Sequence, residues 1–196
     1  MRQIAPRAEA RLRGRFAAHR IAYPPERIDI LAFKHSRRVE VRAWSHGRAG
    51  VAASYRMLDS SGGPGPKLHE GDEQIPEGVY AVTLLNPNSD YDVSLKLDYP
   101  NRFDRSHARR DGRRNLGGQI FIHGDDVSIG CLAVGNAAAE ELFVLVDRVG
   151  LDNVRVIIAP WDFRQVPPPR VAPPGQPRWL PELYARIDRV LREGSG

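Results

Sequence analysis

Short runs of alternating apolar and polar residues, rich in β-branched side chains, are the feature that most limits the fold of this chain. Alternation over a few residues is typical of half-buried β-strands, whereas a helix repeats its apolar positions every three or four residues. Turn residues such as His46 and Gly47 separate the runs, as expected between antiparallel neighbours. Strands are predicted at 28–33, 38–44, 51–58, 78–85, 93–99, 120–122 and 154–158, with a turn at 86–88. We therefore predict a mostly β (α+β) fold.

Helices are predicted near both ends of the chain and after residue 136. A basic, Ala-rich helix over residues 5–19 should stop at the prolines 24 and 25, which fix φ and lack an amide donor. Asn136 is expected to cap a helix over 137–149 that Gly150 ends. A Pro-rich strap leads to an amphipathic helix over 181–192, whose apolar stripe should dock on the same domain. The predicted units are a basic N-terminal extension (1–25), a main domain (26–165) and the strap with its helix (166–196).

Positive charge is concentrated in two places, although the formal net charge is only +5. Arginines crowd the first twenty residues and the segment 102–114, which is read as a surface excursion forming a lid or a short helix. These arginines are either solvated or attract a polyanion, such as nucleic acid, membrane headgroups or the acidic cell-wall polymer. Only Phe16 and Phe103 interleave with them, which gives no stacking platform for single strands, so we expect no nucleic-acid partner.

Two further sequence properties bear on where the chain acts and on its chemistry. No apolar stretch approaches the roughly 20 residues of a spanning helix, so no membrane span is expected. Residues 1–20 lack the apolar core of a signal peptide, so an exported chain would be a mature form or use another route. A single cysteine and scattered histidines give no metal-ligand spacing, and neither a metal nor a cofactor is expected.

The segment from His123 to Cys131 brings together a thiol and a base. A cysteine becomes a useful nucleophile when a neighbouring base favours the thiolate, so this pairing predicts an accessible thiol of depressed pKa. Glycine at position 130 permits a sharp turn, and the amides of Gly130 and Cys131 are then candidates for stabilising an oxyanion. Ser128 is a candidate for holding the substrate or steadying the imidazole. The alternative is a buried structural cysteine beside a histidine that bonds a backbone carbonyl.

The same segment resembles a known family. His123-Gly124 followed by Ser128-Ile129-Gly130-Cys131 is similar to the HG…SxGC signature of the L,D-transpeptidase (YkuD-domain) family. Upstream, Gly65-Pro66-Lys67 and residues 70–80 resemble that family's GPK…EGDxxTPEGxY element, and Ser89 and residues 97–101 also fit. The likeness covers roughly residues 28–160. It implies that the main domain is a catalytic domain with a β-sandwich and a few helices.

The resemblance also implies roles for individual residues. Cys131 matches the nucleophile and His123 the base, and Ser128 and Gly130 match the remaining motif positions. The substrate-binding candidates are Gly124, Lys67, Asp72 and Tyr99. Lys67 and Asp72 form either a turn with its ion pair or a wall of the cleft, and Tyr99 is either a core aromatic or a cleft wall. The implied reaction is thiolate attack on a meso-diaminopimelate carbonyl in a murein stem peptide, which gives a thioester that water or an amine resolves.

Two departures from the transpeptidase pattern favour hydrolysis. Ala133 stands where transpeptidases have arginine, and the gap between His123 and Ser128 is short. Both features resemble a branch of the family that includes the amidase releasing murein-linked lipoprotein. We therefore expect a periplasmic L,D-amidase acting on peptidoglycan stem peptides, with a murein-linked lipoprotein or outer-membrane protein as a further partner. The alternatives are a cross-linking L,D-transpeptidase, a non-catalytic cell-wall-binding module and a secreted antibacterial effector.

Overall fold

The computed structural model describes residues 4–59, 61–90 and 92–194 of the chain. The described part contains four α-helices: α1 (Ile4–Ala18), α2 (Arg102–Arg110), α3 (Asn136–Val149) and α4 (Leu180–Arg192). Its eight strands are β1 (Arg27–Phe33), β2 (Arg38–Ser45), β3 (Arg48–Arg56), β4 (Gly78–Ser89), β5 (Asp92–Leu97), β6 (Phe121–His123), β7 (Leu132–Ala133) and β8 (Val154–Ala159). A short 3₁₀ turn, Leu151–Asn153, separates α3 from β8.

The strands are hydrogen-bonded in the order β3-β2-β1-β8-β4-β5-β6-β7. Strand β4 joins the two halves, because its start pairs with β8 and the rest of it pairs with β5. The mostly β (α+β) prediction is confirmed. Neighbouring runs do form antiparallel pairs, but β1 lies parallel to β8, and β6 lies parallel to β7. Alternation within one strand does not say which other strand it pairs with, so the sequence pattern could not predict these parallel pairs.

The basic N-terminal helix is packed into the main core. Ala8, Leu12 and Phe16 of α1 are fully buried in a cluster that includes residues of α3 and of both halves of the sheet. A buried carboxylate on α3, Glu141, fastens this helix, since it accepts hydrogen bonds from the guanidinium groups of Arg11 and Arg15, each at 2.7 Å. Part of the predicted N-terminal charge is therefore paired inside the fold.

The C-terminal helix docks on a second apolar cluster, as its apolar stripe predicted. Leu183, Ile187 and Leu191 of α4 are buried against β1 and β8. Arg42 on β2 donates to the carbonyls of Val190 and Leu191 at 2.7 and 2.6 Å, which joins the last turn of α4 to the sheet. No helix in the described ranges is long and apolar enough to cross a membrane.

Two local predictions are wrong. Asn136 does not cap α3: Gly135 holds the cap position, and the Asn136 side chain instead accepts the Asp125 amide at 2.6 Å. Residues 86–88 do not form the turn, because β4 continues through them to Ser89. Asn136 suits a helix cap, but its side chain bonds the preceding loop instead. Residues 86–88 suit a turn, but their backbone continues strand β4 instead. Gly150 ends α3 as predicted, and the 102–114 segment contains the short helix α2.

Because α1 is part of the core, we expect Phe16→Ala to lower the free energy of unfolding by about 3–5 kcal/mol, the usual cost of deleting a buried aromatic ring. Urea denaturation checks this, with Arg7→Ala, an exposed site on the same helix, as the matched control. A loss below about 1 kcal/mol for Phe16→Ala would show that α1 contributes little to the fold.

Candidate active site

Strands β6 and β7 bring the histidine and the cysteine to one cavity. His123 is the last residue of β6, and Cys131 directly precedes β7, whose Leu132 pairs with Ile122 in parallel register. The cavity has a volume of about 410 Å³. It is lined by Asn86, Asn88, Ser89, Asp90, Ser94, Phe121, His123, Val127, Ser128, Ile129 and Cys131.

The Cys131 thiol is half-buried beside the backbone of the strand before it. Its Sγ accepts a hydrogen bond from the Phe121 amide at 3.4 Å and donates to the Gln119 carbonyl at 3.6 Å. Burial raises the pKa of Cys131, and the Phe121 amide and the positive charge of Lys67 offset only part of that effect. The thiol is therefore protonated at neutral pH in this structure, in contrast to the depressed pKa that the sequence suggested.

The His123 ring is held by the backbone that follows it. Its Nδ1 lies 2.5 Å from the Gly124 carbonyl oxygen, and because a carbonyl only accepts, Nδ1 carries the proton. Nε2 is then the basic nitrogen of the neutral ring. Burial lowers the pKa of His123, although Gly124 and Asp125 act in the opposite direction, so the ring is neutral at neutral pH. A neutral imidazole is the form that a general base requires.

The loop from Gly124 to Gly130 is tight and has an apolar rim. Asp125 and Gly130 both have left-handed backbone conformations, with φ of 67° and 82°. At Gly130 an added Cβ would meet only the Gln74 carbonyl at 3.5 Å, so the demand for glycine there is conformational rather than steric. Val127 and Ile129 are 64% and 74% exposed at the cavity, which leaves two large apolar side chains facing solvent.

The amides proposed for an oxyanion already have partners in this structure. The Gly130 amide donates to Ser61 Oγ at 2.7 Å, and the Cys131 amide donates to Ser128 Oγ at 3.0 Å. The Ser128 amide in turn donates to the Asp59 carboxylate at 2.8 Å. A substrate oxyanion can reach the first two amides only by replacing a serine hydroxyl. At rest, the Ser128 hydroxyl is the acceptor for the backbone amide of the nucleophile, Cys131.

Lys67, Asp72 and Tyr99 lie outside the cavity lining. Lys67 Nζ pairs with Asp72 at 2.6 Å, and the same carboxylate accepts three backbone amides of its own turn. The buried Tyr99 hydroxyl donates to the carbonyls of Lys67 and Leu116. The contacts of Lys67 and Asp72 are those of a turn with its ion pair, and the contacts of Tyr99 are those of a core aromatic residue. Lys67 still influences the nucleophile through its charge.

Sequence reasoning missed the polar residues that the β4–β5 hairpin adds to the cavity. Asn86, Asn88 and Asp90 lie at its tip, and Ser94 lies on β5 opposite His123. The density of amide and acid side chains in residues 86–90 is a usable signal of a polar site, although the local pattern predicts a turn there. Asp59 and Ser61 had no local signal, because they meet the nucleophile loop across a separation of 69 residues.

Comparison with known proteins identifies a family and a fold. The profile of the L,D-transpeptidase catalytic domain (YkuD) matches residues 28–158. YafK of Escherichia coli strain K12 is 35% identical over 139 residues, which are 68% of this chain and 54% of YafK. The chain thus spans about half the length of the curated relatives it matches.

Solved structures agree with this result. Pgp2, the helical cell shape determining protein of Campylobacter jejuni, is 25% identical with a TM-score of 0.55, over 70% of this chain and 49% of Pgp2. Bd1075 of Bdellovibrio bacteriovorus is 22% identical with a TM-score of 0.50, over 71% of this chain and 50% of its own. At that identity, the second likeness shows the fold alone.

Because burial raises the pKa of Cys131, we expect iodoacetamide to alkylate the folded protein slowly at neutral pH. The rate should rise through a midpoint above that of the same thiol in the urea-unfolded chain. Lys67→Gln should move the midpoint higher still, since it removes a cation that favours the thiolate, while Lys67→Arg keeps the charge as the control. A rate already at its plateau below pH 7 would instead indicate a preformed thiolate–imidazolium pair.

Proposed function

The chain belongs to the L,D-transpeptidase (YkuD) family, and on that basis we propose that it is a cysteine-dependent, peptidoglycan-modifying hydrolase. The observation that carries the proposal is that Cys131 and His123 line one open cavity within the segment that matches the family. The proposed substrate is a murein stem peptide attacked at the carbonyl of its meso-diaminopimelate residue. The proposed location is the periplasm, and the favoured leaving group is the amine of a murein-linked lipoprotein or peptide.

In the first half-reaction, His123 Nε2 takes the proton of the Cys131 thiol as Sγ attacks the carbonyl carbon. The neutral state of both groups means that charge appears only as the S–C bond forms. The tetrahedral oxygen is then stabilised by the Gly130 and Cys131 amides once the serine hydroxyls give way. The C–N bond breaks, the imidazolium returns its proton to the departing amine, and a thioester remains.

In the second half-reaction, a water molecule gives a proton to His123 Nε2 and adds to the thioester carbonyl. The same amides stabilise the second oxyanion, the C–S bond breaks, and the thiolate recovers the proton from the imidazolium. The product is a free carboxyl on diaminopimelate. An amine acceptor in place of water would form a new amide by the same steps, which is the transpeptidase alternative.

The local structure around position 133 supports water as the acceptor. Ala133 is fully buried in β7, its carbonyl accepts the Leu58 amide at 2.8 Å, and its backbone pairs with His123. The arginine that transpeptidases carry there would have to bury its guanidinium group at this position, which is costly without a partner. The short loop after His123 leaves the rim residues Val127 and Ile129 exposed, so the cavity is open to water.

We expect wild-type protein to release lipoprotein or new free diaminopimelate carboxyls from murein sacculi, while Cys131→Ala releases none because it lacks the nucleophile. His123→Gln should lower the rate by about 10²–10⁴-fold, the usual contribution of a general base. Mass spectrometry of the released muropeptides measures both effects.

The products distinguish the alternatives. New diaminopimelate–diaminopimelate links or exchanged D-amino acids would make the protein a transpeptidase rather than a hydrolase. Identical muropeptides from wild type and Cys131→Ala, with both proteins bound to sacculi, would favour a cell-wall-binding module. Growth arrest on expression in the periplasm of a susceptible bacterium would point to an effector.

A further inference from the structure

The sheet beside His123 carries polar side chains that the proposed chemistry does not use. Ser94 on β5 is the register partner of His123 on β6, and Asn86 on β4 is the register partner of Ser94. Directly opposed residues of antiparallel strands point to the same face of a sheet, so the three side chains form one line across it. All three line the cavity that holds Cys131. We call Asn86 and Ser94 the polar row.

Ser94 carries the strongest sign of a ligand. Only 2% of this residue is exposed, and its hydroxyl makes no hydrogen bond within residues 4–59, 61–90 and 92–194. A buried hydroxyl normally has a partner, because its loss of water is otherwise uncompensated. Its neighbours along β5, Val93 and Leu95, face the apolar core, whereas Ser94 lines the cavity. The hydroxyl is therefore placed to bond a polar group of the molecule that fills the cavity.

Asn86 presents a second donor. Its Oδ1 accepts the Asn88 amide at 3.1 Å, so the oxygen is engaged within the β4–β5 hairpin. Its Nδ2 makes no hydrogen bond within the described ranges, and the side chain is half-buried at the cavity. A hydroxyl and an amide NH₂ group thus stand side by side on strands whose opposed Cβ atoms are about 5 Å apart. Two donors in that arrangement suit the two oxygens of a carboxylate.

Opposite charges flank the polar row along the hairpin. Asp90, at the hairpin tip, lines the cavity and makes no ion pair within the described ranges. Lys96 stands two residues beyond Ser94 on the same face of β5, just outside the lining, with its Nζ 6.0 Å from the centre of the Phe121 ring. An acid on one side and a base on the other suit a group that carries an ammonium and a carboxylate at once.

The side chain of diaminopimelate ends in such a group, since it is a lysine side chain whose last carbon also carries a carboxylate. Six single bonds of about 1.5 Å separate the attacked carbonyl carbon from the carbon of that carboxylate, and in zigzag they span roughly 7–8 Å. Ser94 and Asn86 lie one and two strand spacings from His123, or about 5 and 10 Å. The terminal carboxylate of a substrate attacked beside His123 therefore reaches the polar row.

We propose that the polar row is a specificity-determining subsite that binds the side-chain carboxylate of diaminopimelate, while Asp90 receives the ammonium on the same carbon. This inference rests on the proposed function and deepens it, because it names the residues that select diaminopimelate over lysine. A lysine stem lacks the carboxylate and leaves the Ser94 and Asn86 donors without a partner in the cavity, which is how a hydrogen-bonding site rejects an analogue.

Two synthetic stem peptides with the same amine leaving group test the subsite, one with diaminopimelate and one with lysine at the attacked residue. Wild type should show a kcat/KM about tenfold or more higher for the diaminopimelate stem. Ser94→Ala should lower that ratio about tenfold by slowing the diaminopimelate stem alone. The matched control is Ser54→Ala, at an exposed serine on β3, which should leave both rates unchanged. Equal thermal midpoints confirm that both variants are folded.

Two charge changes on the hairpin sharpen the test. Asn86→Asp keeps the size of the side chain but sets a carboxylate against a carboxylate, so it should reverse the preference in favour of lysine. Asp90→Asn should lower kcat/KM for both stems by the same factor, because both carry the ammonium. A ratio near one in wild type, or a ratio that Ser94→Ala leaves unchanged, overturns the subsite.

Binding measurements separate this inference from the proposed function. Cys131→Ala protein keeps the polar row but lacks the nucleophile, so titration calorimetry with the two stems measures recognition without turnover. Tighter binding of the diaminopimelate stem, lost when Ser94→Ala is added, supports the subsite even if wild type cleaves neither stem, a result that contradicts the hydrolase alone. Equal affinity for the two stems overturns the subsite, even if wild type cleaves both.

Discussion

The architecture of the site depends on one buried ion pair, Lys34 with Glu77, whose charged atoms lie 3.2 Å apart with almost no exposure to solvent. Lys34 Nζ donates to the Gly65 and Ile75 carbonyls, and Glu77 accepts the Gly65 amide. The pair thus holds the 61–76 loop at Gly65 and at Ile75 against the end of β1. Burial lowers the pKa of Lys34 and raises that of Glu77, and each partner's charge opposes that effect. Removing one partner would leave an unpaired buried charge, which typically costs about 3–5 kcal/mol.

This pair also links the C-terminal helix to the nucleophile. The Tyr184 hydroxyl of α4 donates to Glu77 at 2.8 Å, and the loop that Glu77 fixes contains Ser61, which accepts the Gly130 amide. Helix α4 and the nucleophile loop therefore contact the same 61–76 loop, the first through Glu77 at Gly65 and the second through Ser61. The apolar stripe of α4 packs on the domain, while its Tyr184 hydroxyl donates to the buried carboxylate of Glu77.

What the sequence could predict depended on the range of the interactions involved. Strand periodicity, the stripe of α4 and the glycine that ends α3 are local patterns, and each is found in the structure. The motif also located the cavity, because His123 and Cys131 are only eight residues apart. The β1–β8 pairing, the packing of α1 through Glu141 and the Ser61 contact all cross more than 60 residues, so no local pattern encodes them. The Asn136 prediction failed for a different reason: its side chain accepts the amide of Asp125 in the preceding loop and is not used as a helix cap.

The neutral resting state and the occupied amides are parts of one physical arrangement. A half-buried thiol beside a neutral imidazole carries no charge that water would have to solvate, so the site is stable without a substrate. The same burial makes a developing oxyanion costly unless donors meet it, and those donors, the Gly130 and Cys131 amides, are bonded to Ser61 and Ser128 at rest. A substrate carbonyl must therefore exchange with a hydroxyl before charge can develop. Attack is thus conditional on how far the substrate enters the cavity, because the Ser61 and Ser128 hydroxyls must leave the two amides before an oxyanion can be stabilised.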